Sequence, residues 1–134
     1  MENHSYSHAR LKGLSSSAVR EDILKNAALL EKITRRRTLF FRFPYGDHDS
    51  SALQAANELG YPVVHWTFPS GDPDKNLTKE ALLKGVISKV KPGAILIFHI
   101  NQRGWKTGEA LPGIVATLKS MGYEFILLKD AVKR

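Results

Sequence analysis

Apolar positions recur along this chain at two alternating periods. Over residues 15–34, Val19, Ile23, Ala27, Leu30 and Ile33 are spaced by three and four, one face of a helix, with Ser15, Ser16 and Ser17 ahead of it as candidate caps. Thr38-Leu39-Phe40-Phe41-Arg42-Phe43 is a short apolar and aromatic run of the kind that forms a buried strand, ended by the turn Pro44-Tyr45-Gly46-Asp47. The helical period returns over 50–59 through Ala52, Ala55, Ala56 and Leu59, and Gly60 closes it. Pro62 to Trp66 reads as a strand and 69–74 as a loop. A third helix is predicted over 78–90, capped by Thr78, with Leu82, Leu83, Val86 and Val90 inward. Pro92-Gly93 leads into Ala94-Ile95-Leu96-Ile97-Phe98, the strongest strand signal. A fourth helix is predicted over 107–121, stopped by Gly122, and 124–128 reads as a last strand.

Strands separated by helices mean βα units with parallel strands, in an open doubly wound sheet or part of a barrel. In both layouts chemistry sits at the C-terminal ends of the strands. The unusual polar residues fall there: Arg42 with Pro44-Tyr45-Gly46, the 66–74 loop, and His99.

Composition narrows the picture. The 134 residues are 43 % hydrophobic and 25 % charged, which is ordinary for a globular domain. The absence of cysteine excludes disulfides, thiolate nucleophiles and Cys-type zinc sites. No apolar run approaches the roughly 20 residues needed to cross a bilayer, and Met1 to Ser5 lacks the apolar stretch of a signal peptide. Twenty Lys and Arg against thirteen Asp and Glu leave a net charge of +7. The positive residues are scattered along predicted helices, and the one dense run, Arg35-Arg36-Arg37, suits the negative end of a helix dipole. That pattern reads as a solvated basic surface rather than a nucleic-acid footprint.

Several residues are candidates for chemistry. His4 and His8, four apart in His-Ser-Tyr-Ser-His, are able to point one way from a turn and share a metal ion; alternatively they are surface histidines on a frayed terminus. Arg42 ends an apolar strand, where its donors need carboxylate or carbonyl partners, in a salt bridge or in a site. His99 ends the 94–98 strand and is either a packed, hydrogen-bonded side chain or an acid–base group. Asp72 and Asp74 are explained by turn chemistry, and Trp66 and Trp105 by core packing or as a wall for a sugar ring.

Their order along the chain is more specific than any one of them. The chain resembles the polysaccharide deacetylases, the NodB-homology domain of carbohydrate esterase family 4. The family's H-[ST]-x-x-H motif matches His4-Ser5-Tyr6-Ser7-His8, and its R-x-P-Y-G motif matches Arg42-Phe43-Pro44-Tyr45-Gly46. A loop after a strand ending in Trp and bearing an Asp resembles Trp66 to Asp72, and Leu96-Ile97-Phe98-His99 matches the family's last motif in part. Two departures stand out. The family's first motif, T-F-D-D-G, does not occur in these residues, and Pro73 stands where a second Trp is usual.

The resemblance implies a distorted (β/α)7 barrel in the family, here an N-terminally truncated single domain over 1–134 with about four βα units. It implies metal-dependent removal of acetyl groups from an N-acetylated or O-acetylated polysaccharide of chitin, peptidoglycan or xylan type. His4 and His8 would be ligands of a divalent metal, usually zinc, whose third ligand and catalytic base belong to the motif that does not occur here. Tyr45 would help hold the oxyanion through its backbone N–H, beside Pro44, and Trp66 would line the groove. Arg42 would orient the base, and His99 would protonate the leaving amine with Asp72 holding its imidazole. Asp47 and Asp49 are conceivable replacements for the missing aspartates, but turn chemistry explains both. The truncation further implies weak zinc binding by histidines on a mobile terminus, an inactive chain, and self-association through an exposed strand edge at 38–43. The competing readings are a non-catalytic carbohydrate-binding remnant and, with no recognisable signature behind it, a basic nucleic-acid-binding module.

Overall fold

The computed structural model describes residues 1–132, and the chain divides into two compact units, Met1–His65 and a second that begins at Trp66. Among the described residues every backbone pairing between strand segments is parallel, as βα connections require.

In the first unit, α1 (Ser16–Thr34) starts at Ser15, whose hydroxyl accepts the Ala18 N–H, and ends at Arg35 in the left-handed conformation with its N–H on the Glu31 carbonyl. Its apolar face is buried at Val19 and Ile23, with Ala27 packed partly buried against the same cluster, while Ile33, the last residue of the predicted stripe, is 67 % exposed. A 3₁₀ turn covers Pro44–Gly46. Helix α2 (Ser50–Glu58) is capped by Asp49, and its small Ala52, Ala55 and Ala56 let it approach α1 closely over Phe41 and Phe43.

The predicted strand at 38–43 is reduced to single bridges through Phe41, with Asn3 on one side and Val63 on the other. Its ladder is short because the Glu2 carboxylate takes the N–H groups of Leu39 and Phe40, at 2.7 and 2.9 Å. The expected exposed edge at 38–43 is therefore corrected: the segment has backbone neighbours on both sides, Asn3 N–H donating to Phe40 O and Phe41 N–H to Pro62 O, each at 3.1 Å. The predicted strand at 62–66 likewise survives only as the bridge at Val63.

In the second unit, β1 (Phe68–Pro69) pairs with β2 (Leu96–Ile97), Phe68 opposite Leu96 and Pro69 opposite Ile97. The partner of the 94–98 segment is thus a piece expected to lie at the edge of a loop. Pro69 is tolerated because the ladder is carried by its neighbours, Thr67 N–H donating to Ile95 O at 2.7 Å and Ser70 N–H to Ile97 O at 3.3 Å. Helix α3 (Lys79–Ile87) is capped by Thr78, as predicted, and packs Leu82 and Val86 against Ala110, Ile114 and Leu118 of α4 (Thr107–Ser120). The predicted strand at 124–128 does not form. Phe125, Ile126 and Leu127 are exposed, and Leu128–Ala131 turns into the short helix α5. A strand needs a neighbour to take its N–H and C=O groups, and among the described residues none runs beside this one.

Candidate catalytic site

The first unit gathers the residues of two predicted motifs. Asn3, buried, is bridged to Phe41, and the Arg42 N–H donates to its carbonyl at 3.1 Å, so the chain enters the His4 to His8 loop already pinned to the end of the 38–43 segment. The loop then turns through left-handed backbone at Ser5 (φ 71°) and His8 (φ 54°). The turn is held by Asp22 on α1, whose carboxylate accepts the N–H groups of Tyr6 and Ser7 at 3.1 and 3.0 Å. Burial raises the Asp22 carboxyl, but hydrogen bonds from the Ser5 and Ser7 hydroxyls and from the Ser7 and Tyr6 amides outweigh it and leave it below the ordinary carboxylate value. The expectation of histidines on a mobile terminus is corrected by this anchoring. It was invisible in the sequence because Asp22 lies a helix away from the loop it holds.

His4 Nδ1 lies 2.6 Å from the Arg42 carbonyl oxygen. A carbonyl only accepts, so Nδ1 carries the hydrogen and the lone pair of the neutral ring is on Nε2. The His8 ring meets His4 edge-on with centroids 5.0 Å apart, and His8 meets Tyr45 in the same way at 5.0 Å. Pro44 is buried. Tyr45 takes left-handed backbone angles (φ 60°, ψ 0°) that a non-glycine residue adopts only at a cost, and its half-exposed ring is covered by the Arg10 guanidinium 4.6 Å from the centroid. Arg10 in turn pairs with Asp47 at 3.0 Å. Arg42 is partly buried, and desolvation lowers its guanidinium below its ordinary value without depriving it of charge. Asp47 and Asp49 are spent on structure. Asp47 faces Arg10 and Lys12, and Asp49 accepts the Ala52 and Gly13 N–H groups at 2.8 and 2.7 Å.

The second unit brings Asp72 and His99 together. Asp72 is 1 % exposed and receives four donors. Oδ1 accepts the Ser70 hydroxyl at 2.9 Å and lies 2.9 Å from His99 Nδ1; Oδ2 accepts the His99 backbone N–H at 2.5 Å and the Thr107 hydroxyl at 2.6 Å. Burial raises the Asp72 carboxyl, yet the Thr107, His99 and Ser70 hydrogen bonds together hold it below the ordinary carboxylate value. An ionised carboxylate only accepts, so His99 donates through Nδ1–H and turns Nε2 outward from Asp72. The His99 side chain keeps 29 % of its surface exposed, enough to exchange a proton. Trp66 is partly buried just ahead of β1. Sequence reading missed Ser70 and Thr107, because a threonine at a helix start ordinarily reads as part of that helix's own cap.

The chemistry of the first-unit donor set suits a divalent metal in part. His4 has the second ring nitrogen tied to a carbonyl, the arrangement that orients a histidine ligand, and His8 is its neighbour. Among the described residues no three His, Cys, Asp or Glu side chains gather to hold a metal ion.

Residues 1–64 match the family model for polysaccharide deacetylases, and relatives of that family align with nearly the whole chain. The chain is similar to the polysaccharide deacetylase family over nearly its whole length. A peptidoglycan-N-acetylglucosamine deacetylase of Bacillus cereus is 28 % identical over 128 residues, which are 94 % of this chain and 46 % of the relative. The solved structure of a family 4 acetyl xylan esterase from Clostridium thermocellum, with a cobalt ion, is 29 % identical and superimposes with a TM-score of 0.87, covering 96 % of this chain and 62 % of that one. A CE4-family pseudoenzyme from Bacillus anthracis is 30 % identical with a TM-score of 0.84, over 92 % of this chain and 42 % of that one. These neighbours share the family's (β/α) barrel fold, which accounts for the parallel α/β arrangement here. The chain spans less than half the length of the curated relatives it matches.

Proposed function

We propose that this chain carries residues for hydrolysing acetyl groups from an acetylated polysaccharide, with His99 as the general acid. The observation that carries the reading is the Asp72–His99 pair, in which a buried carboxylate holds both the ring and the backbone of one partly exposed histidine. Amide hydrolysis stalls unless the departing amine is protonated, and an imidazolium oriented from Nδ1 delivers its proton from Nε2. Relatives named for peptidoglycan and xylan deacetylation support an acetylated polysaccharide of peptidoglycan or xylan type as the substrate class.

His4 and His8 would hold a divalent metal, zinc by ligand type. Such a metal, when bound, polarises the acetyl carbonyl and acidifies water. The cobalt ion named with the acetyl xylan esterase supports this reading. The backbone N–H of Tyr45, on its left-handed turn, would help hold the oxyanion, and Arg42 would orient a carboxylate base. The two aspartates of the family's T-F-D-D-G motif are not among the 134 residues. With two of the three protein ligands usual for catalytic zinc, and no base, the chain by itself is expected to be nearly inactive.

A second reading is a non-catalytic carbohydrate-binding protein, favoured by the relatives described as a CE4 pseudoenzyme. The two readings separate in one assay, acetate release from chito-oligosaccharides and acetylated xylan with added zinc. The 134-residue chain is compared with the same chain fused behind the T-F-D-D-G-bearing segment of a relative. The deacetylase reading expects the fusion to turn over, the chain alone to be slower by about 10²- to 10⁴-fold, and His99→Ala to remove most of the fusion's activity. A folded, inert fusion that still binds the oligosaccharide would establish the second reading instead.

A further inference from the structure

The Thr107 hydroxyl is spent in an unusual place. A threonine at a helix start commonly turns its oxygen toward the amides of its own first turn. Helix α4 has no side-chain cap, and Thr107 instead donates to Asp72 Oδ2, 35 residues back along the chain, at 2.6 Å. The side chain is buried while doing so. The approach depends on a tight fold of the chain between His99 and α4. Gly104 sits so close that a Cβ there would stand 2.0 Å from the His99 carbonyl oxygen and 2.9 Å from the Thr107 hydroxyl. The Gly104 N–H donates to Asn101 O at 2.9 Å, and the Thr107 N–H to Gly104 O at 3.3 Å. The carboxylate is thus gripped at both oxygens by hydroxyls, Ser70 on Oδ1 and Thr107 on Oδ2, and each oxygen has one further donor, both from His99.

We propose that Thr107 is a positioning residue for proton transfer at His99: with Ser70 it locks the Asp72 carboxylate in the one rotation that serves the His99 ring and the His99 backbone together. Without the Thr107 hydroxyl, Oδ2 keeps only the His99 backbone N–H, and the carboxylate is freer to turn about its Cβ–Cγ bond. The ring then loses its fixed acceptor, and the imidazole samples both tautomers. With the lock, the neutral ring is held as Nδ1–H and all proton exchange runs through Nε2. The use of that proton rests on the deacetylase reading above; the lock itself does not.

Nitrogen NMR of the histidine side chains of the 134-residue chain tests the lock directly, because the two ring nitrogens report the tautomer without any need for turnover. The wild-type His99 is expected as a single Nδ1–H tautomer in its neutral form. Thr107→Val, nearly the same shape without the hydroxyl, is expected to give a mixture of tautomers, and Thr107→Ser to restore the single one. A purely structural role for Thr107 would change melting temperature without changing the tautomer. If Thr107→Val does not fold, Thr107→Ala is read against Thr107→Ser in the same way. A single Nδ1–H tautomer in a folded variant without the hydroxyl would overturn the proposal. A tautomer that responds as expected, beside a fusion that releases no acetate, would uphold the lock and defeat the deacetylase reading.

Discussion

Replacing Asp72 by Asn keeps the shape of the side chain and changes one acceptor oxygen into a donor amide. Four donors converge on the carboxylate, and each oxygen takes two. Whichever way the amide is placed, its NH₂ faces two former donors. A hydroxyl is able to rotate and accept instead, so Thr107 or Ser70 adapts. The other donor is a backbone amide in one placement and an imidazole in the other, and only the imidazole is able to adapt, by changing tautomer. If the NH₂ replaces Oδ2, the backbone N–H of His99 is left buried against it. If it replaces Oδ1, the His99 ring must surrender its Nδ1–H. A stranded buried amide in the first case, or loss of the charge-assisted bonds and a change of tautomer in the second, costs about 1–3 kcal/mol. At about 4 °C per kcal/mol for a chain of this size, the melting temperature should fall by roughly 4–12 °C. The pH dependence follows from the sign of the shift. The folded carboxyl lies below its ordinary value of 3.8, so its contribution is fully present above that value and is lost as pH falls through the folded value. Thermal denaturation of both proteins between about pH 3 and 8 is the assay. The gap should be constant from about pH 5 upward and narrow below about pH 4. Equal stability at neutral pH, or a gap that widens in acid, would refute the account of Asp72 as an ionised acceptor of four bonds.

Other outcomes follow from the same geometry. Isothermal titration should find zinc binding weaker than micromolar by the 134-residue chain, abolished in the His4→Ala, His8→Ala double variant; tight binding would reveal a third ligand beyond the pair. Ile114→Ala, which empties a buried position between α3 and α4, should cost about 2–5 kcal/mol in urea denaturation. Gly104→Ala should cost more than an ordinary surface substitution, about 1–3 kcal/mol, because the added carbon meets the backbone carbonyl of His99, which cannot rotate away. A Gly104→Ala variant as stable as the parent would show that the 99–107 turn relaxes freely.

The helices were legible in the sequence because their determinants are local. Ser15, Asp49 and Thr78 cap the helices they precede, and Val19 with Ile23, Ala52 with Ala55, and Leu82 with Val86 mark the buried faces. The order of His4, His8, Arg42, Pro44, Tyr45, Asp72 and His99 was sufficient to suggest the family. What lay beyond the sequence was everything that depends on a partner far along the chain. The 38–43 and 124–128 runs have nearly the same apolar character, yet one is flanked by Asn3 and Val63 while the other has no described neighbour and is exposed. Strand formation is settled by what lies alongside, and periodicity carries no information about that. The same holds for the site. Asp22 pinning the His4 to His8 loop, and Thr107 reaching Asp72, are contacts across 15 and 35 residues of chain. Hydrogen bonds of that span are created by tertiary packing, which alone decides that a helix-start threonine serves a buried carboxylate rather than its own helix.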